Sequence, residues 1–299
     1  MRNKKWRQIA AISILLLTAA TFIYYFAAHP ELLTELKHIP RGVFISVLLL
    51  DFCVVIATGL ILMATIMLCK IPLGARESML VTMYSSIINF FGPLQSGPAF
   101  RAVYFKKKHK LKIKDYTLAT FVYYFCFAFF SGLFLVSGIL KWWLIPLSLM
   151  GLVMVLWVVR SNSGLVSRLR AFNLRALGFL AAATLLQVVL MSIIYFIELR
   201  SVDATINYGQ AIIYTGAANF ALFVSITPGA IGFREAFLVF SEHLHHISYS
   251  AIVAANVVDR TMYITMLLIL AVIIFGTHAS RGFKALTENK KSDNAEAQD

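Results

Sequence analysis

The chain has 299 residues, 60% of them hydrophobic and 14% charged, with a mean hydropathy of +0.78 and a formal net charge of +13. So apolar a composition excludes a large soluble domain. The basic excess sits in short loops between apolar runs, which argues against nucleic acid as the partner and for the positive-inside rule of membrane proteins.

Met1–Arg7 carries Arg2, Lys4, Lys5 and Arg7, and an apolar run follows over Ile9–Ala28. That run is too long for a signal peptide and lacks a small-residue cleavage site, so it reads as a spanning helix with its N-terminus inside. After a short outer connection, Val43–Leu68 spans inward, with Asp51 within it, and Cys69–Glu77 forms an inner loop. Ser78–Phe105 is apolar but broken around Pro93 and Gly97. Proline supplies no N–H and glycine weakens a helix, so two short helices are predicted here. The following loop holds Lys106, Lys107, Lys108, Lys110, Lys112 and Lys114 and belongs inside, so the broken segment reads as a re-entrant hairpin from the cytoplasm.

Tyr116–Leu140 then spans outward and Trp142–Val159 spans back, with Trp142 and Trp143 at the outer interface. Ala176–Glu198 spans outward, with Gln187 midway. A second broken segment, Gln210–Phe240, enters from outside and carries Thr227, Pro228, Gly229 and Gly232 at its break. Tyr249–Gly276 spans inward, and residues 281–299 read as a disordered cytoplasmic tail. In this layout 20 of the 27 Lys and Arg are inside, while Lys37, Arg41, Lys141 and Arg200 are outside. The expected fold is an all-α polytopic membrane protein: one transmembrane domain over 1–280, with about six full spans and two re-entrant helical hairpins.

The two broken segments share an order of residues. Tyr84-Ser-Ser-x-x-Asn89-Phe90 matches Tyr214-Thr-Gly-x-x-Asn219-Phe220, about 130 residues on. Each has Pro-x-x-x-Gly next, Pro93 to Gly97 and Pro228 to Gly232, and then Phe-Arg, Phe100-Arg101 and Phe233-Arg234. This is a diverged internal repeat with halves of about 43–140 and 176–276. Because the hairpins enter from opposite sides, it is an inverted-topology repeat, which in transporters places a site near the midplane.

Arg101 and Arg234 are the leading site residues. A membrane-depth arginine needs a partner or a wet cavity, and its planar fork suits phosphate. Helix N-termini near Pro98 and Ala230 would add positive potential at the breaks. The alternative is that each arginine pairs with a structural carboxylate: Glu235, Asp259 or Asp51. Glu235 and the Asp259-Arg260 pair would anchor such an arginine or exchange a proton. Asn89, Asn219, Ser96, Thr227 and Gln95 could bond a headgroup or satisfy the broken backbone. His243, His245 and His246 with Glu242 lack the i,i+4 histidine pair of a good helical site, so no metal is expected, and no cofactor. Cys53, Cys69 and Cys126 form no CxxC pattern and read as packing residues.

Ile226-Thr-Pro-Gly-Ala-Ile-Gly-Phe-Arg-Glu-Ala236, followed by a span with Asp259-Arg260, resembles the lysylphosphatidylglycerol synthase transmembrane-region family, also called flippase-like. The stretch GPLQSGPAFRAVYFKKK, from Gly92, is similar to the family's Gly-x-x-x-Arg-x-x-Tyr segment. Two departures stand out: Pro98 where many members have glutamate, and Phe125-Cys126 where many have an acidic residue followed by arginine. The first half therefore lacks two charges, against any symmetrical ion-pair scheme. The resemblance implies translocation of a lipid or polyprenyl-linked substrate between leaflets. In bifunctional members a soluble aminoacyl-transferase domain follows; none is present in this sequence, so that activity is not expected.

The reading is a bacterial inner-membrane lipid or polyprenyl-phosphate translocase, not an enzyme, with no ATP-binding phosphate loop and both termini cytoplasmic. One rival is a membrane enzyme acting on a lipid-linked sugar, for which Asp51, Glu198 and Asp203 are scattered in sequence. The other is a non-transporting partner of envelope-biosynthesis enzymes. Sequence leaves the oligomeric state open.

Overall fold

The computed structural model describes residues 40–91, 96–137, 173–224 and 233–296. The predicted spans Ile9–Ala28 and Trp142–Val159, the break residues Pro93, Thr227, Pro228, Gly229 and Gly232, and the Glu235 side chain lie outside what is described. Among the described residues every element is a helix: α1 Arg41–Leu68, α2 Ala75–Phe91, α3 Ser96–His109, α4 Ile113–Val136, α5 Leu174–Val202, α6 Tyr208–Val224, α7 Phe233–Phe240, α8 Glu242–His245 and α9 Tyr249–Glu296.

Four of these are long and apolar enough to cross a membrane: α1, α4, α5 and the Tyr249–Ile274 part of α9. They correspond to the predicted spans and leave Leu49, Phe121, Leu186 and Val272 exposed, as lipid-facing helices do. The two broken segments fold as helix pairs, α2 with α3 and α6 with α7. The α9 helix runs on to Glu296, through positions 281–296 that the sequence predicts to be disordered. That stretch contains FKALTENKK, whose Ala, Leu, Glu and Lys favour helix, and it extends a helix already nucleated.

Local signals set the ends. After α1 the chain closes in a Schellman motif, with Lys70 in the left-handed region at φ 61°, its N–H donating to the Met67 carbonyl and the Ile71 N–H to that of Ile66. Lys110, past the end of α3, is also left-handed at φ 53°, and the Leu111 N–H donates to the Phe105 carbonyl at 3.3 Å. Asn173 caps α5 by accepting from the Arg175 N–H at 2.9 Å.

Packing respects an exchange of α1–α4 with α5, α6, α7 and α9. Thus α1 meets α2 as α5 meets α6, α2 meets α3 as α6 meets α7, and α3 meets α4 as α7 meets α9. Across the halves, α2 meets α9 as α6 meets α4, and α1 meets α9 as α5 meets α4. The most extensive contact, α1 with α5, maps onto itself. Alanines let spans approach closely there: Ala64, Ala119, Ala176 and Ala183 share one buried cluster with Ile61, Leu68 and Leu180.

Helix α6 sits backbone-to-backbone on α4 at Gly216. A Cβ there would lie 2.3 Å from the Leu135 nitrogen and 2.7 Å from the Ser131 carbonyl oxygen. Gly216→Ala is therefore expected to push the helices apart and cost about 1–3 kcal/mol, read as a lowered Tm in detergent. Gly132→Ala, whose new methyl would meet only the Phe220 ring at 3.6 Å, is the matched control and should change stability little.

Candidate functional site

Arg234 stands in the first turn of α7, just past the second break, and is only 6% exposed. A charge so placed must be paired. Its Nη1 donates to Asp259 Oδ2 on α9 at 2.5 Å. Its guanidinium also lies 5.0 Å from the centre of the Tyr195 ring on α5. Tyr195 packs edge-on against Tyr214 of α6, and Tyr214 against His245. The Nε and Nη2 atoms of Arg234 are buried with no hydrogen-bond partner. Of the sequence alternatives, Asp259 is thus the partner.

Two further carboxylates converge here. Glu198 of α5 is 1% exposed and Asp51 of α1 is 8% exposed. Glu198 lies within electrostatic reach of Asp259, Asp51 and Arg234, and Asp51 within reach of Asp259. Glu198 Oε1 is buried without a hydrogen-bond partner. Glu198 is the predicted end of its span, far in sequence from Asp51; α5 instead runs one turn further, to Val202, and buries Glu198. A polar stripe did mark this face: Gln187, Tyr195 and Glu198 share one side of α5, with Met191 between them. Asp203, just beyond, is not part of the cluster and accepts from Thr205.

Arg101 on α3 is placed differently from Arg234. It is half-buried, and its Nε donates to Ser85 Oγ at 2.7 Å. Tyr116, Tyr123 and Tyr124 of α4 and Tyr263 of α9 lie within its electrostatic reach. No carboxylate pairs with it among the described residues. Phe125 of α4, where the repeat read from the sequence would put a counterpart of Asp259, is exposed. Tyr263 is also within electrostatic reach of Asp51 and Asp259.

The small polar residues mostly serve the backbone. Ser96 Oγ donates to the Ile88 carbonyl and the Gly97 N–H to Asn89 Oδ1, which closes α3 onto α2. Gly97 is needed for this, since a Cβ would lie 2.8 Å from the Ser85 carbonyl oxygen. Asn219 Nδ2 donates to Ser131 Oγ of α4, while its Oδ1 is buried and unpartnered. Gln187 bridges three helices, donating to Thr58 of α1 and accepting from Tyr123 of α4. Arg260 is half-buried beside Asp259 on α9.

A second basic feature lies at the ends of α1 and α3. A groove of 980 Å³ is lined by Lys70, Lys106, Lys110, Lys112 and Lys114 over a floor that includes Leu68, Leu111 and Leu118. Burial pushes the thiol of Cys69, on its edge, up to about 12, leaving it unreactive at neutral pH. Nearby, Glu77 ties the feet of α2 and α3 together, accepting from Tyr104 at 3.0 Å and pairing with Lys108 at 3.0 Å and His109 at 2.7 Å. Burial alone would raise the Glu77 pKa, but hydrogen bonds from His109, Lys108 and Tyr104 outweigh it and hold it below 4.5. With the folded pKa below the unfolded one, this contribution is full above the unfolded value and is lost as pH falls through the folded one. Glu77→Gln is expected to remove that acid-side step from a plot of Tm against pH, at a cost of at most about 1 kcal/mol at neutral pH.

The histidine cluster is resolved by packing. His245 is buried, its Nδ1 accepts from the Ile247 N–H at 3.1 Å, and its Nε2–H therefore donates to the Leu238 carbonyl at 3.0 Å. Burial holds its pKa below the usual value. Among the described residues no three His, Cys, Asp or Glu side chains come together as metal ligands.

Compared with known proteins, residues 8–273 match the family model described as lysylphosphatidylglycerol synthase TM region. No curated protein and no solved structure matches the chain.

Proposed function

The chain belongs to the lysylphosphatidylglycerol synthase TM region family, and on that premise we propose that it is a translocase for a lipid or polyprenyl phosphate. The observation that carries this reading is Arg101. It is a half-buried guanidinium at a helix break, held by Ser85 and matched by no carboxylate among the described residues. Its fork has donors to spare for a phosphate oxygen. Arg234, the corresponding residue of the second half, spends a donor on Asp259 and keeps its Nε and Nη2 buried without a hydrogen-bond partner.

The exchange of packing partners between the halves supports an inverted-topology repeat, with α2–α3 and α6–α7 as re-entrant hairpins and six full spans in all. The basic loops orient it in a bacterial inner membrane with both termini cytoplasmic. The lysine groove would then face the cytoplasmic leaflet and gather anionic headgroups beside Arg101's helix. Envelope-biosynthesis enzymes are the partners such a carrier would serve.

One observation favours a second reading, a membrane enzyme on a lipid-linked substrate: Asp51, Glu198 and Asp259 do cluster. Vesicles separate the two. Purified protein in liposomes should speed the exchange of fluorescent phosphatidylglycerol or polyprenyl phosphate between leaflets, without altering it chemically. Unchanged exchange rates relative to protein-free vesicles would overturn the translocase reading, and a new lipid product would favour the enzyme.

A further inference from the structure

The acidic cluster holds more carboxylates than cations. Arg234 and Asp259 neutralise each other. Asp51 and Glu198 are then left with no cationic partner among the described residues, both more than nine-tenths buried. An ionised carboxylate so placed is very costly, so the two share at most one charge in the empty protein, and a further negative charge nearby drives protonation of that one too. Among the described residues, the groups that face Glu198 are Tyr195 on its own helix, Asp51 from α1, Arg234 from α7, Asp259 from α9 and Tyr214 from α6. Helix α4 meets α5 at Gln187, three turns away. Two observations besides the acidic residues mark this as a site. Arg234 Nε and Nη2 are buried beside Tyr195 and Tyr214 with no carboxylate or carbonyl acceptor, and Glu198 Oε1 is buried with no donor. These atoms are poised for a group that is both acidic and hydrogen-bonding.

We infer that Glu198, with Asp51 beside it, is a proton-binding site that takes up one proton together with each lipid phosphate. This rests on the phosphate reading above. The balance is simple. A phosphodiester brings one negative charge toward Arg101 and Arg234. The added charge lies near three carboxylates, so the Glu198 carboxylate accepts a proton from water on the side of entry. When the lipid leaves, Glu198 returns that proton to water on the side of exit. Lipid and proton move in the same direction. By reciprocity, acidification tightens lipid binding as much as lipid binding tightens the proton.

The test uses the full chain in detergent and short-chain phosphatidylglycerol, whose phosphodiester keeps a single charge over the working pH range. Affinity should rise by about tenfold per pH unit on acidification while one proton is linked to binding. In Glu198→Gln, which mimics the protonated acid, that slope should vanish. His245, which packs on Tyr214, is present in both proteins and so cancels from the comparison. Infrared difference spectra on lipid binding should show a protonated carboxylic-acid band in the wild type that Glu198→Gln removes. A flat pH dependence with lipid bound, or a slope that survives in both Glu198→Gln and Asp51→Asn, overturns the inference. If phosphatidylglycerol and polyprenyl phosphate bind at no pH, the phosphate reading fails. The infrared band on acidification alone then decides whether Glu198 holds a proton.

Discussion

Replacing Arg234 with alanine is expected to destabilise the protein by about 3–5 kcal/mol, and removing Asp259 as well to return most of that loss. The reason is asymmetric. In the wild type, the guanidinium and the Asp259 carboxylate are desolvated together and meet at 2.5 Å, with Tyr195 beneath the guanidinium. Alanine at 234 removes the cation and strands Asp259 in the interior, beside Asp51 and Glu198. The α7 helix has only eight residues and loses its main tie to α9. The double variant Arg234→Ala, Asp259→Ala leaves cavities but no stranded charge. Arg234→Lys should fall between, because lysine keeps the charge but not the planar stack on Tyr195. Thermal unfolding in detergent, with expression level as a second readout, checks the order: wild type, then the double variant, then Arg234→Ala. If the double variant is less stable than Arg234→Ala, the ion pair does not explain the burial of Arg234.

The course of the chain could be read from sequence because apolarity and Pro/Gly breaks act locally. A run such as Val43–Leu68 has only one way to satisfy its backbone in hydrocarbon, and α1 follows it nearly to the residue. The described helices likewise stop at Phe91 and Val224 and resume at Ser96 and Phe233, on either side of the predicted Pro/Gly breaks. What sequence could not choose was which carboxylate Arg234 meets. Glu235 is adjacent, Asp259 lies 25 residues away and Asp51 is in the other half. The rotation of each helix about its axis decides, and that is set by packing such as Gly216 on Leu135. Glu198 was missed for the same kind of reason: one extra turn of α5 moves it from a supposed interface into the core. The roles of Ser96 and Asn89 were open in sequence, and the close approach of α3 to α2 gives both to the backbone.

Arg101 should behave in the opposite way to Arg234. Within the protein, Arg101→Ala loses one hydrogen bond, to Ser85, worth about 1 kcal/mol, and strands no carboxylate among the described residues. Tm should therefore change little. Retention of co-purified anionic phospholipid, measured by native mass spectrometry, should instead fall by about tenfold or more, the loss of a charge-assisted contact to phosphate. Arg101→Lys separates charge from geometry. If the fork matters, lysine should recover only part of the retention, because it offers a point charge in place of paired donors. Ser85→Ala tests the support. It frees Nε and lets the guanidinium swing, so retention should drop by less than in Arg101→Ala, with Tm again nearly unchanged. Two outcomes would sink the assignment. One is normal lipid retention in a stable Arg101→Ala protein. The other is a stability loss as large as that of Arg234→Ala, which would mean that Arg101 is also half of a structural pair. The contrast between the two arginines is the informative result. In the proposed repeat they hold the same place, yet only Arg234 has an aspartate across from it: Phe125 stands where the repeat would put the counterpart of Asp259.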